Sequence, residues 1–180
     1  MFENLSNYQA ANPALWQGRK DTLNAERFFE KISFINHQND LITKDKKTIF
    51  MGFASDAGVT RNMGRPGAKL GPDQIKTQLA KLPCPMENQF IDLGNIICNH
   101  DELESAQNQF AELIKYCHQY GHKTIALGGG HEIAWAHYQG LAPHYNKLGI
   151  INFDAHFDIR PYQKDQPGTS GTPFSQIALF

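Results

Sequence analysis

From Thr48 onward, short apolar runs alternate with segments in which apolar residues recur at helical spacing. The apolar runs predict strands at residues 48–53, 90–93, 123–127 and 148–153. The helical spacing predicts helices at residues 72–82, 102–120 and 132–141, the first with Ile75, Leu79 and Leu82 on one face. Strands that alternate with helices indicate an α/β fold, with a parallel sheet covered by helices on both faces.

Residues 1–40 are polar and aromatic and predict little beyond a short helix at residues 21–32. We therefore expect a single domain over residues 1–180, in which residues 1–40 form an N-terminal extension. Trp16 is expected to fold over the core from this extension.

Composition narrows the class of protein. The 180 residues carry a formal net charge of −1, with 41% hydrophobic and 19% charged residues, which is typical of a globular protein. Near-zero net charge argues against nucleic-acid binding, and no apolar stretch reaches the length of a membrane span. The three cysteines form no CxxC pair and the N-terminus does not resemble a secretory signal, so we expect a cytoplasmic protein.

The predicted strand at residues 148–153 ends in the sequence DAHFD, which places two aspartates and a histidine at alternate positions. In a nearly extended segment Asp154, His156 and Asp158 point the same way and can converge on one centre. This ligand set suits Mn²⁺, Mg²⁺, Fe²⁺ or Zn²⁺. The alternative is a strand end with surface aspartates and a histidine satisfied by hydrogen bonds.

The predicted strand at residues 123–127 is followed by GGGHE, residues 128–132. His131 would begin a helix, level with Asp154 if the two strands are neighbours. An ordinary strand-to-helix turn explains a glycine run equally well. Glu132 is interpreted as a helix-start carboxylate rather than a base.

GGGHEIAWAH and NFDAHFDIR resemble the two amino-proximal metal motifs of the ureohydrolase family, which includes arginases, agmatinases and formimidoylglutamases. SDAGVTRNMGRPGAKLGPDQIK, residues 55–76, is similar to a third family motif. The resemblance runs from about residue 48 to residue 180. The segments SDAGV, with Arg61 and Asn62 after it, and SGTPF, residues 170–174, look most like the formimidoylglutamase branch.

The resemblance implies a three-layer α/β/α fold with a mostly parallel sheet and two Mn²⁺ ions that share a nucleophilic hydroxide. The implied metal ligands are His131, Asp154, His156 and Asp158, and no catalytic side chain is assigned beyond the metal-bound hydroxide. The implied reaction converts N-formimidoyl-L-glutamate and water to L-glutamate and formamide, a step of histidine degradation. A small amidine is the expected partner, and family members commonly form homo-oligomers.

Substrate contacts are predicted for Arg61, Arg65, Ser170 and Thr172. The two arginines can pair with a carboxylate, and Ser170 and Thr172 can hydrogen-bond one. Loop solvation for the arginines, and a turn without ligand role for Ser170 and Thr172, are the alternatives.

The sequence departs from the family in two ways. Ser170 stands where arginases and agmatinases place a histidine, which argues against those two activities. The family's downstream DxD metal motif is not found, so we expect a chain truncated at its C-terminus. The alternatives are therefore an agmatinase or arginase, a catalytically inactive fragment, and a metal-dependent deacetylase of similar architecture.

Overall fold

The computed structural model describes residues 2, 5–21, 24, 26–35, 37–84 and 90–180. The strands are β1 (Tyr8–Gln9), β2 (Ile32–Phe34), β3 (Thr48–Ala54), β4 (Phe90–Ile97) and β5 (Lys123–Gly128). The helices are α1 (Phe28–Lys31), α2 (Ala57–Arg61), α3 (Gly71–Leu79), α4 (Leu103–Gln119), α5 (Ile133–Leu141) and α6 (Pro173–Ala178).

The five strands form one mostly parallel sheet. β3 lies between β4 and β5 and is parallel to both, while β2 pairs with β4 in parallel and β1 pairs with β4 antiparallel. The carboxyl ends of β3, β4 and β5 therefore meet at one edge, where the crevice of an open α/β sheet lies.

Helices cover both faces of this sheet. Side chains alternate along β3, so Ile49 and Phe53 pack with α4 in one core, while Phe50 packs with Trp16 and Ala80 in a second core on the opposite face. The apolar runs of β3 and β4 are nearly continuous because both faces are buried. The predicted three-layer α/β/α fold is confirmed.

Three of the four predicted strands are confirmed as β3, β4 and β5. The prediction of a strand at residues 148–153 is wrong: this segment has no ladder partner among the described residues. Ile151 and Phe153 are largely exposed. The apolar residues of this segment are typical of a buried strand. A strand also needs a neighbouring strand, however, with which its backbone N–H and C=O groups form hydrogen bonds.

The predicted helices at residues 102–120 and 132–141 are confirmed as α4 and α5. The helix predicted at residues 21–32 is reduced to α1, because Ile32 already begins β2; residues 22, 23 and 25 lie outside the described part of the chain. Residues 1–40 reach the sheet through β1, β2 and the buried Trp16. Their status as an extension stays a prediction.

The predicted apolar face of α3, formed by Ile75, Leu79 and Leu82, is confirmed only for Leu79, which packs against the second core. Ile75 and Leu82 are exposed, and the buried positions on this side of the fold are Pro72, Lys76 and Ala80. The spacing of four residues between these buried positions is as helical as the predicted spacing, so periodicity alone could not identify the most buried stripe.

Lys76 is buried beside an anionic partner in the sheet. Its Nζ lies 2.7 Å from Oδ1 of Asp92, and both side chains have 1% exposure or less. Nζ also donates to the carbonyl of Gly94 and to Oδ1 of Asn95. The second oxygen of Asp92 accepts the indole N–H of Trp16 at 2.7 Å. One buried network thus joins α3, β4 and the N-terminal segment.

A row of polar side chains connects α4, β5 and α5. The hydroxyl of Thr124 lies 3.1 Å from Nε2 of His118 and 3.0 Å from Nε2 of His137. Burial, and then the neighbouring His118, lower the pKa of His137 to about 4. His137 is therefore neutral near pH 7 and accepts or donates hydrogen bonds without a charge.

No helix among the described residues is long and apolar enough to cross a membrane.

We expect Lys76→Met to lower the free energy of unfolding by about 3–5 kcal/mol, because it leaves the buried carboxylate of Asp92 without its counter-charge. Urea unfolding of both proteins measures the difference. Lys69→Met is the matched control, since Lys69 is exposed. If Lys76→Met lowered the free energy of unfolding no more than Lys69→Met does, the result would contradict a stabilising role for the Lys76–Asp92 ion pair.

We expect the stability of the protein to fall as the pH drops from about 6.5 to about 4. In this window the unfolded chain binds a proton at His137 that the folded chain excludes, so protonation favours unfolding. His137→Gln retains a partner for Thr124 and should make the pH dependence shallower. Urea unfolding at several pH values tests this, and equal slopes for both proteins would refute it.

Candidate metal centre

The polar loops of the fold meet at the carboxyl edge of the sheet around a cavity of about 390 Å³. The loop after β3, the loop after β5 and two segments of the C-terminal region contribute to it. The lining residues are Val59, Asn62, Ala68, Gly129, Gly130, His131, Asp154, His156, Asp158, Arg160 and Ser170.

Three of the four predicted metal ligands come together on this cavity. Ligand atoms of His131, Asp154 and Asp158 all lie within 4.8 Å of one another. Nδ1 of His131 lies 2.5 Å from Oδ2 of Asp158 and 3.7 Å from Oδ2 of Asp154. The three side chains are between 16% and 32% exposed, so they face the cavity while remaining open to a ligand.

His156 occupies a different place from the other three. Its side chain is 80% exposed, and its Nδ1 lies 3.3 Å from Oδ1 of Asp154. Asp154 therefore presents one oxygen towards His131 and the other towards His156.

The expectation that residues 154–158 are extended, with alternate side chains on one face, is wrong. Residues 154–156 form a bend, and Asp158 has a φ of 48°. This left-handed conformation is tolerated by Asp better than by most residues, and it turns the Asp158 carboxylate back to His131. His156 lines the cavity with a side chain that is 80% exposed. Its backbone N–H donates to Oδ1 of Asp154 at 2.8 Å, and that bond holds the pKa of Asp154 below its usual value.

The sheet itself positions His131. The backbone N–H of Gly129 donates to the carbonyl of Phe53, and that of Gly130 donates to the carbonyl of Ser55, both at 2.9 Å. These bonds continue the parallel pairing of β5 with β3 beyond the strand ends. The edge of the Phe174 ring from α6 packs against the His131 imidazole, with ring centroids 5.5 Å apart.

Glu132 proves more important than a helix-start carboxylate, which is how the sequence presented it. It is fully buried, and its Oε1 accepts the Ser55 hydroxyl at 3.0 Å and the Gly58 backbone N–H at 2.9 Å. A Cβ on Gly58 would lie 2.6 Å from its carboxyl carbon, and one on Gly130 would overlap Oε2. Both glycines therefore make room for this carboxylate.

Burial raises the pKa of Glu132, although the hydrogen bonds from Ser55 and Gly58 oppose the shift. The Glu132 side chain joins the loop after β5 to the loop after β3. Because Glu132 directly follows His131 in the chain, these bonds also hold the backbone of His131 in place. Gly58 and Gly130, which make room for the carboxylate, were the signal in the sequence that could have indicated a buried group at Glu132.

The donor set fits a divalent cation. One imidazole nitrogen and two carboxylates form a ligand set of hard to borderline character, which Mn²⁺, Mg²⁺, Fe²⁺ and Zn²⁺ all accept. Their convergence within 4.8 Å, on the wall of an open cavity, allows one ion to touch all three.

The structure places Arg61 in an anchoring network instead of the cavity. Its guanidinium donates to Asp101 through Nε, to Glu104 through both terminal nitrogens, and to the backbone carbonyls of Asp101 and Gly168. All five N–H groups are thereby used, so a direct substrate contact would require one of these bonds to break. The geometry supports a role in holding the 168–172 loop.

The other three residues predicted to contact substrate differ in their position relative to the cavity. Ser170 lines the cavity and its backbone N–H donates to the carbonyl of Gly58 at 3.0 Å. Thr172 is buried and its hydroxyl lies within hydrogen-bond distance of Thr169 and Gln176, inside the turn. Arg65 is exposed and is not among the cavity-lining residues. Of these three residues, Ser170 has the position that a substrate contact requires.

Asn62 and Arg160 also line the cavity, and the sequence analysis did not single them out for a role there. Arg160 lies two residues after Asp158, so its proximity to a metal motif was a usable signal. Asn62 comes from the loop after β3, and only the folded chain brings it near Arg160.

Fold and donor set together define an α/β protein whose cavity can hold a divalent cation, and residues 46–179 match the arginase family. This match covers well over half of the sequence, so the chain belongs to the arginase family. The predicted ureohydrolase membership is thereby confirmed.

The chain is 70% identical to the formimidoylglutamase of Legionella pneumophila (strain Lens) over 180 residues, which is 100% of this chain and 56% of that protein. The chain thus spans little more than half the length of this relative. A crystal structure of Trypanosoma cruzi formiminoglutamase with Mn²⁺ is 27% identical, with a TM-score of 0.67 over 79% of this chain and 52% of that one. The Bacillus subtilis formimidoylglutamase structure, at 19% identity, supports the fold alone, with a TM-score of 0.73 over 89% of this chain and 50% of that one.

We expect Asp158→Asn to weaken Mn²⁺ binding by roughly tenfold or more, since even residues that only support a ligand commonly cost that much. The substitution removes the negative charge that lies closest to His131. Calorimetric titration with Mn²⁺ measures the affinity, and Asp165→Asn, at an exposed position, is the matched control. Equal affinities for the two variants would remove Asp158 from the ligand set.

Proposed function

We propose that this chain carries part of the active site of a metal-dependent hydrolase that cleaves the C–N bond of a linear amidine. The proposed reaction is N-formimidoyl-L-glutamate plus water giving L-glutamate and formamide. The convergence of His131, Asp154 and Asp158 on one cavity carries the proposal, and the 70% identity to a Legionella formimidoylglutamase supports the substrate.

His131, Asp154 and Asp158 would hold one Mn²⁺ ion. A second ion would be held by His156 and by Oδ1 of Asp154, the oxygen that faces His156. When bound, such ions supply Lewis acidity that makes water a competent nucleophile near neutral pH. The two carboxylates of Asp154 and Asp158 bring compensating negative charge, because a dication is what keeps two nearby carboxylates ionised together.

Two side chains next to the cavity hold His131 in place. The Glu132 carboxylate fixes the backbone beside His131, and the Phe174 ring limits rotation of the imidazole. The oxygen of water forms a bond to the amidine carbon, and the bond from that carbon to the glutamate nitrogen breaks. One proton of the water passes to the imine nitrogen, which becomes the amide nitrogen of formamide, and the other passes to the leaving glutamate nitrogen. Ser170 stands on the wall of this cavity as a neutral hydrogen-bonding group.

We further propose that the reaction belongs to histidine degradation in the cytoplasm and that the protein forms homo-oligomers. Cys84, Cys98 and Cys117 are not joined by disulfide bonds, which accords with a reducing compartment.

The competing hypotheses predict different products. A guanidino hydrolase of agmatinase or arginase type would release urea from agmatine or arginine. The lack of a histidine at position 170 argues against it. An inactive fragment would bind metal without turnover, which is a real alternative because the chain spans 56% of its relative's length.

Incubation of the purified 180-residue chain with Mn²⁺ and N-formimidoyl-L-glutamate tests the proposal. We expect release of formamide that depends on Mn²⁺ and is lost in Asp158→Asn, because that variant lacks a metal-binding carboxylate. Parallel assays with agmatine and arginine should yield no urea.

Circular dichroism first establishes that both proteins are folded. Formamide release without added metal, or retained in Asp158→Asn, would overturn the mechanism. A folded, Mn²⁺-binding chain that releases neither formamide nor urea would favour the inactive fragment.

A further inference from the structure

One edge of the sheet lacks a neighbouring strand in the part of the chain that the structure describes. β5 pairs with β3 alone, and the backbone N–H groups of Lys123 and Gly129 donate to carbonyl groups at or next to the ends of β3. Because backbone groups alternate in direction along a strand, those of Thr124 and Ala126 point away from β3. Unpaired N–H and C=O groups on an edge strand are a template on which another strand can pair.

The face of the sheet that α3 covers is apolar beside this edge. Ile125 is 41% exposed, although Leu127, whose side chain points to the same face, is buried in the second core. Gly71 begins α3 on the side that touches β5, since a Cβ there would lie 2.6 Å from the carbonyl oxygen of Gly128. Ile75, one helical turn further on the same side, is 43% exposed.

The opposite face is apolar beside the edge as well. A groove of about 290 Å³ lies between α5, α6 and residues 148–151, and its lining residues include no Asp, Glu, Lys or Arg. His137, which contacts Thr124 of β5, lines the groove and is neutral near pH 7. We call β5, Ile75 and this groove the open-edge surface.

The chain exposes more surface than a compact protein of its mass. Its accessible surface is 10645 Å², whereas a folded monomer of 20.3 kDa is expected to expose about 8,800 Å². The excess of roughly 1,800 Å² is similar to the area that one subunit contributes to an obligate dimer, about 1,000–2,500 Å². The excess therefore matches the area that a partner subunit would cover.

We propose that the open-edge surface is an interface between two copies of this chain. In this interface β5 of one copy pairs antiparallel with β5 of the other, about a twofold axis at Ile125. The proposal assigns a surface to the homo-oligomer proposed above, and it does not depend on the proposed reaction.

The edge is complementary to itself in this arrangement. A twofold axis at Ile125 places Thr124 opposite Ala126 of the second copy, and these are the residues whose backbone groups point outward. The two Ile125 side chains then meet on the α3 face, next to Ile75 of each copy. Lys123 lies opposite Leu127 rather than its own copy, and a net charge of −1 gives two copies little mutual repulsion.

Sedimentation equilibrium of the 180-residue chain tests the interface. We expect a species of twice the 20.3 kDa of one chain. Ile125→Lys should raise the dissociation constant of the pair about a hundredfold or more, because each substitution costs about tenfold and a twofold axis introduces it twice. Phe34→Lys is the matched control, since Phe34 is 37% exposed and lies on β2, at the other edge of the sheet.

A cross-link tests the predicted register. Directly opposed residues of an antiparallel pair have Cα atoms about 4.5–5.5 Å apart, a separation that a disulfide bond can span. We expect Ile125→Cys to form a covalent dimer under mild oxidation and Phe34→Cys to remain a single chain on a non-reducing gel. Both variants retain the same native cysteines, and circular dichroism establishes that each is folded.

The outcomes separate the interface from the other proposals. A chain that stays monomeric at every concentration overturns the interface and the homo-oligomer, and it leaves the reaction to be judged by formamide release. A dimer that persists unchanged in Ile125→Lys, or assemblies that grow beyond two subunits, overturn this interface. A chain that pairs through Ile125 and releases no formamide supports the interface and counts against the reaction.

Discussion

The parallel pairing of β3 with both β4 and β5 is the constraint on which the rest of this structure depends. Parallel strands end at the same edge, so the loop after β3 and the loop after β5 must lie side by side. The pairing even continues past the strands, because Gly129 and Gly130 donate to the carbonyls of Phe53, at the end of β3, and of Ser55 just after it. His131 thus reaches the cavity as a consequence of sheet register.

A buried ion pair and a buried carboxyl group support this frame in different ways. Lys76 and Asp92 satisfy each other between α3 and the sheet and bring Trp16 of the N-terminal segment with them. Glu132 instead receives neutral donors from the loop after β3, and two glycines admit its carboxylate. The first arrangement stabilises the layers, whereas the second holds the loops of the candidate site in register. A buried polar group is destabilising without hydrogen-bond or charge partners. Loss of the partners of Lys76, Asp92 or Glu132 would therefore destabilise the fold.

Two arginines near the candidate site have different surroundings. Arg61 engages its donors with Asp101, Glu104 and the 168–172 loop, which makes it a positioning residue. Arg160 lines the cavity, and its backbone N–H donates to the carbonyl of Gly171 in the same loop. An arginine that holds a loop and an arginine that lines a cavity look alike in a sequence, because what distinguishes them is the set of partners that each finds in the folded chain.

The sequence by itself determined the alternating elements, the parallel α/β class and the family, because these follow from periodicity and from motifs whose residues are close in the chain. It also named His131, Asp154 and Asp158 before any contact was known. Tertiary structure decided the rest: that Lys76 lies inside, that residues 148–153 lack a strand partner among the described residues, and that the ligand atoms of His131, Asp154 and Asp158 converge while the side chain of His156 stays largely exposed. Each of these depends on how the folded chain arranges its neighbours, and local patterns carry no information about which neighbour the fold will supply.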